Sequence, residues 1–147
     1  MAKVLDVAAY ILEQQGSMSA MKLQKLAYYA QAWHLVWEEE ALFREPIQAW
    51  ANGPVIPDLY QAHKGNFMVS SVRGHSEELS NAEKSSVDAV LTAYGKFTAQ
   101  QLSEMTHREQ PWQQARRGVP EGSRSSSIIT PASMHEYYHG LHARHHG

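Results

Sequence analysis

Nine histidines stand in a chain of 147 residues, and five of them, His135, His139, His142, His145 and His146, fall in the last thirteen. His135 and His139 are four apart, as are His142 and His146. On a helix such pairs share a face and can hold Zn²⁺ or Ni²⁺. A structural site takes ligands from a second element, so the plainer expectation is a solvated tail with adventitious metal binding only, and no cofactor. His107 and Glu109, inside Thr106-His107-Arg108-Glu109-Gln110-Pro111-Trp112, are an acid–base pair by residue type. Two positions apart on a helix they point to different sides. The favoured expectation is a helix end, where Pro111 and Trp112 turn the chain, the indole plugs the core and His107 bonds a neighbouring segment. His34 lies on an apolar stripe, where a histidine is either a general base or, as favoured here, a core residue bonded to a backbone group or a tyrosine. Arg116 and Arg117, with Arg124 near, suit an acidic partner or phosphates, or a solvated loop.

The motifs that usually carry catalysis are missing. The chain has no Gly-x-Ser-x-Gly elbow, phosphate loop, Rossmann fingerprint or His-Glu-x-x-His, and no separated acidic pair stands out for glycoside chemistry. Cysteine is absent, which excludes disulfides, a thiol nucleophile and thiolate metal sites. The expectation is a protein that acts by binding another protein, not an enzyme.

Composition agrees. A domain of this length buries roughly 68–70% of its unfolded surface, and 43% hydrophobic residues with 10% aromatics suffice for a core. The 13 Lys and Arg against 15 Asp and Glu leave a net charge of −2, so no basic field spans the chain and nucleic acid is disfavoured as a partner. Asp6 breaks the first apolar run, unlike a signal peptide. No uncharged stretch approaches the ~20 residues of a membrane span. A cytoplasmic protein is expected.

The elements that would position these residues are mostly helical. Leu5, Ala8, Ala9 and Leu12 mark a helix from about Val4 to Gln15, with Gly16 as its C-cap. Ser19 caps a longer helix, about Ala20 to Glu38, whose apolar residues cover more than one face, as in a central core helix. Leu42-Phe43-Arg44 and Ile47-Gln48-Ala49-Trp50, separated by Pro46, suggest two strands of a small antiparallel hairpin. Asn52-Gly53-Pro54 is a turn, and Pro57 opens a short helix, Asp58 to Lys64. Residues 66–79 are polar and are expected to form a loop in which Gly74 adds flexibility. Ser80 with Glu83, and Thr98 with Gln101, have capping-box spacing and open two more helices. Residues 118–127, with Gly118, Pro120, Gly122 and four serines, are expected as a loop. Thr130-Pro131 starts a last helix through Tyr137 and Tyr138, fraying after Gly140. The expected fold is mainly α: a single-domain bundle of about five to six helices with a small antiparallel hairpin, over residues 1–140, and a His-rich flexible tail over 141–147.

Two stretches together carry a family resemblance. Met21-Lys22-Leu23-Gln24-Lys25-Leu26-Ala27-Tyr28-Tyr29-Ala30-Gln31-Ala32-Trp33-His34 leads into Leu42-Phe43, Glu45-Pro46-Ile47-Gln48-Ala49-Trp50 and Gly53-Pro54-Val55-Ile56-Pro57-Asp58-Leu59-Tyr60. Thr106-His107 and Pro111-Trp112-Gln113-Gln114-Ala115-Arg116 follow. This order strongly resembles the Panacea domain of SocA-like antitoxins and phage-associated proteins, from roughly Val4 to Tyr138. The His-rich tail is outside the family pattern.

The resemblance implies an antitoxin bound directly to a cognate protein toxin, without catalytic residues or a cofactor. Such toxins include alarmone-synthetase-like enzymes. One family member resembles an adaptor that delivers its toxin to a Clp-type protease, which is the alternative function; an enzyme using His107 and Glu109 is a further one. A homodimer is also open. Lys22, Leu23, Gln24, Lys25, Leu26, Trp33, His34, Trp50, Gly53, Pro54, Pro57, Tyr60, His107, Pro111 and Trp112 are read as scaffold, with Trp33, Trp37, Trp50 and Trp112 bracing the helices against the hairpin. The toxin-binding surface is expected at the hairpin and nearby turn, with Phe43, Arg44, Gln48 and Asp58, plus Arg116 and Arg117, because edge strands offer unpaired backbone groups.

Overall fold

In the computed structural model, the backbone of residues 1–146 and the side chains of residues 1–145 are described. Among them are seven α-helices: α1 (Val4–Gln15), α2 (Ala20–Glu38), α3 (Pro57–His63), α4 (Asn81–Tyr94), α5 (Ala99–His107), α6 (Gln110–Ala115) and α7 (Pro131–His146). Five short strands join them: β1 (Met18–Ser19), β2 (Ile47–Trp50), β3 (Gly53–Val55), β4 (Met68–Val69) and β5 (Ile128–Ile129). The fold is mainly α with a minor antiparallel sheet.

Helix α2 is the axis of the molecule. Every residue from Leu23 to Val36 is buried, because α1, α4, α5, α7 and β3 pack around it. Its start is set by Ser19, whose hydroxyl accepts from the Lys22 amide, satisfying one of the orphan donors of a first turn. The expected capping boxes are formed at Ser80/Glu83 and Thr98/Gln101. Pro57 is the first residue of α3, where its missing N–H costs nothing.

Total burial forces α2 to employ its polar residues. Two glutamines seven positions apart each grip a passing backbone. Gln31 donates to Phe43 O at 2.7 Å and accepts from Leu42 N at 2.7 Å. Gln24 donates to Ile56 O at 3.3 Å and accepts from Ile56 N at 2.8 Å. A side-chain amide thus supplies the bonds that a neighbouring strand would supply. This corrects the expected strand at Leu42-Phe43-Arg44, which is irregular.

The hairpin is instead β2–β3, turning at Asn52 with Ala49 opposite Pro54. β5 adds to the other edge of β2, with Ile47 opposite Ile129, giving the order β3-β2-β5. The 66–79 segment is also more ordered than a loop: Met68 and Val69 pair with Ser19 and Met18, and Ser76–Glu78 forms a 3₁₀ turn. Gly74 is a point of close approach, since a Cβ there would collide with the Leu5 carbonyl. The Pro111 segment, expected as a turn, is helix α6, and α7 runs past Gly140 to His146. No helix among the described residues is long and apolar enough to cross a membrane.

Candidate functional site

A cleft of about 890 Å³ opens between the start of α2, the β2–β3 hairpin, α3 and the loop before β5. Gln24 and Lys25 form part of its lining, with Gln48, Trp50, Asn52 and Val55 from the hairpin, Tyr60 and His63 from α3, Met21 at the start of α2, and Arg124, Ser125 and Ser126 from the loop. Its size and its apolar surroundings with a few polar groups match the general character of ligand sites, about 300–1,000 Å³.

Lys25 is the unusual member. It is 1% exposed, and its ammonium donates to Pro54 O at 3.2 Å. Among the described residues it makes no other hydrogen bond, and no carboxylate pairs with it. Burial lowers its pKa to about 8, because a low-dielectric setting disfavours the charged form. The ammonium is still mostly protonated at neutral pH. Gly53, at φ 124°, lets the hairpin turn pass over this side chain.

The neighbouring groups are oriented by hydrogen bonds. The Gln24 amide nitrogen lies 2.9 Å from His63 Nε2. Its amide oxygen already accepts from Ile56 N, so the nitrogen end faces His63 and the ring nitrogen must accept. That assigns His63 as the neutral Nδ1–H tautomer, and burial lowers its pKa in agreement. Trp50 Nε1 donates to Gln48 Oε1 at 2.8 Å, and the indole meets the Tyr60 ring edge-on at 5.2 Å.

The rim is positioned from below by Arg116. Its guanidinium is buried and donates to Ala49 O at 3.0 Å, Pro120 O at 3.3 Å and Ser123 O at 2.6 Å, while its plane lies 5.2 Å from the Trp112 ring. It ties β2 to the loop that carries Arg124. The expected partner contact at Arg116 is therefore corrected, since the fork is occupied inside the fold. Phe43 is likewise buried in the core and offers no surface. Arg44, Asp58 and Arg117 are exposed, and Gln48 is half-buried on the cleft wall.

The other named residues fall into separate places. Lys22 donates to Gly95 O at 2.7 Å; Leu23 and Leu26 are core. Trp33 Nε1 donates to Tyr94 OH at 2.9 Å, and its ring lies beside Tyr138. Trp37 is 37% exposed, and its ring contact is with Trp33 of the same helix, at 5.4 Å, not with the hairpin. Trp112 braces the hairpin: its Nε1 donates to Trp50 O at 2.8 Å, with Pro111 buried beside it. His34 bonds Ser86 Oγ at 2.8 Å, in place of the expected backbone group or tyrosine, and its Nε2 has no partner among the described residues.

His107 and Glu109 are not paired. His107 Nε2 lies 3.1 Å from Ala51 O and its ring stacks edge-on against Trp112. Glu109 is buried, and its Oε1 accepts from Tyr29 at 2.7 Å and Tyr138 at 2.8 Å. Tyr138 has given its only proton to Glu109, so Tyr28, 3.0 Å away, donates to Tyr138. Burial raises the Glu109 carboxyl above its usual range.

Among the described residues no cluster of three metal-binding side chains forms. His135 bonds Glu39 Oε2 at 2.8 Å and stacks on His139; His142 lies against Trp33. The His146 side chain lies outside the described residues.

Sequence reasoning placed Lys25 and Gln24 in the scaffold and missed the lining by His63, Asn52, Ser125 and Ser126. The available signal was a charged residue, Lys25, inside a helix apolar on more than one face. The family described as antitoxin SocA-like, Panacea domain, matches residues 23–113, more than half of the chain. No curated protein and no solved structure matches. The matched stretch contains the cleft floor and hairpin, while Arg124, Ser125 and Ser126 lie beyond it.

Proposed function

The chain belongs to the SocA-like antitoxin family with a Panacea domain, and on that basis we propose that it neutralises a cognate protein toxin by binding it directly. The observation that carries the choice of surface is a group of exposed apolar residues beside the cleft. Phe67 is 80% exposed, Met68 54% and Met21 40%. The β1–β4 ribbon gathers them: Met68 pairs with Ser19, and Ala20 N donates to Phe67 O at 2.8 Å. Met21 also lines the cleft.

Large apolar side chains held in water on an ordered ribbon mark interaction sites. Flexible Met beside an aromatic suits a surface that repacks against its partner. In this reading Phe67 is the anchor, and Gln48, Arg44, Asp58 and Arg117 belong to the surrounding polar surface. Neutralisation then works by occlusion of the toxin.

Co-expression with the product of the adjacent reading frame tests this. Native protein should restore growth and co-purify with the toxin. Phe67→Ala combined with Met68→Ala should lose both while keeping its helical circular dichroism. A toxin still neutralised by that double variant removes the proposed surface. A toxin never bound removes the function. A client that disappears only when a Clp-type protease is present, with no stable complex, points to the adaptor role.

A further inference from the structure

We propose that the cleft is a binding site for a phosphorylated small molecule with a flat ring, of the nucleoside phosphate class. Three features of the lining point there. The first is the uncompensated cation on the floor. Lys25 is fully enclosed, yet its ammonium meets one carbonyl, Pro54 O at 3.2 Å. No Asp or Glu is among the residues lining the cleft. Burying a charge without a counter-charge is costly, and an anion seated against Lys25 removes that cost by ion pairing.

The second feature is a matching cation at the rim. Arg124 lines the same cleft, next to Ser125 and Ser126. Its guanidinium makes no hydrogen bond or ion pair among the described residues. Ser125 Oγ is already bonded to Ser127, but the guanidinium with the neighbouring Ser126 hydroxyl still provides several donors, which suits the oxygens of a phosphate better than the two of a carboxylate. The rim is held by the buried Arg116, which grips Pro120 O and Ser123 O just before it.

The third feature is the wall. Trp50 and Tyr60 meet edge-to-face at 5.2 Å, and Val55 and Met21 extend the apolar surface. The indole is fixed by its bond to Gln48, so the aromatic surface is formed in advance for a ring to lie on. Asn52, on the same lining, carries amide donors and an acceptor suited to a heterocycle edge. The 890 Å³ of the cleft accommodates a ligand of this size.

Calorimetric titration of the full chain tests the proposal, with adenosine and guanosine 5′-monophosphates, the two nucleosides, inorganic phosphate, ribose 5-phosphate and an acidic peptide as probes. At least one monophosphate should bind about tenfold or more tightly than its nucleoside and than inorganic phosphate, a difference of about 1.4 kcal/mol. Arg124→Ala, at an exposed rim position, and Lys25→Met, of similar volume, should each weaken that binding about tenfold or more. Thermal melts check that both variants fold; if Lys25→Met does not, Arg124→Ala alone decides. The proposal is overturned if no nucleotide binds up to millimolar concentration, or if binding survives the folded variants unchanged. It is equally overturned if inorganic phosphate or ribose 5-phosphate binds as tightly as the nucleotides, or if only the acidic peptide binds, which would make the cleft a pocket for a partner's carboxylate.

Discussion

Gly53 lies directly over Lys25: a Cβ at Gly53 would stand 2.6 Å from Lys25 Cε and 3.1 Å from Thr106 Oγ1. The hairpin turn and the buried lysine are therefore one device. A side chain at this position would force the end of Lys25 to shift and draw the ammonium away from Pro54 O. The φ of 124° at Gly53 adds a second reason, since L-residues rarely adopt it.

Gly53→Ala should accordingly destabilise the protein by about 1–3 kcal/mol from backbone strain alone, with the clash against Lys25 in addition. Urea unfolding measures the loss. Combining it with Lys25→Ala, which removes the atom struck, should cost less than the two single changes added together. Strict additivity would show that the two residues do not interact.

Lys25→Met should be more stable than the native protein at pH 7, because it removes a buried charge and keeps the volume. The native lysine has a folded pKa of about 8 against 10.5 when unburied. Between those values the unfolded chain keeps a proton that the folded chain has released, so native stability rises with pH across that window. The full rise is about 3 kcal/mol. The advantage of the variant should therefore shrink as pH goes from 8 towards 10; tyrosines, with an ordinary pKa of 10, begin to titrate near the top of this range, but they are common to both proteins and cancel in the comparison. His63 stays neutral throughout. Unfolding curves for the two proteins that run parallel over this range would show that Lys25 is not desolvated.

Glu109→Gln and Glu109→Ala should part ways. Glutamine keeps an acceptor for Tyr29 and Tyr138, whereas alanine leaves two buried hydroxyls unpaired at about 1–3 kcal/mol each. Burial raises the Glu109 carboxyl above its usual 4.5, so just above that pH the folded chain holds a proton that the unfolded chain has lost. Its contribution to stability therefore falls as pH rises through the window. Glutamine should abolish that slope and be at least as stable as the native protein at pH 7. Equal damage from both substitutions would mean that the negative charge itself is required.

Arg116→Lys should behave as a loss, not as a conservative change. One ammonium cannot span the three carbonyls that the guanidinium fork reaches, and the contact with Trp112 disappears. A cost of about 2–4 kcal/mol is expected. Hydrogen exchange should show the Ser123 amide, bonded to Pro120 O, and the Ala49 amide, bonded to Ser127 O, losing protection before the helices do; unchanged exchange there would remove Arg116 as the anchor of the rim.

Local chemistry made the helices readable in advance. Ser19, the Ser80/Glu83 and Thr98/Gln101 pairs and Pro57 act on backbone groups within a few residues, so spacing alone locates them. The second helix, apolar on more than one face, likewise announced its central place, and the linked Lys-Leu-Gln-Lys-Leu and Gly-Pro-Val-Ile-Pro stretches announced the family. What lies between distant segments was not readable. Ile128 and Ile129 join β2 as a third strand from the far side of a serine-rich loop, and nothing near them in the chain specifies that pairing. Arg116 and Arg117 are adjacent and chemically identical, yet one is enclosed and the other exposed; only the carbonyls brought to the first by folding separate them. Lys25 shows the same division. Its place in an apolar helix was visible from the start, but its lack of a counter-charge depends on which side chains the hairpin, α3 and the rim bring around it. Caps and periodicity act over one or two turns of chain, whereas desolvation and pairing depend on neighbours that exist only once the chain has closed.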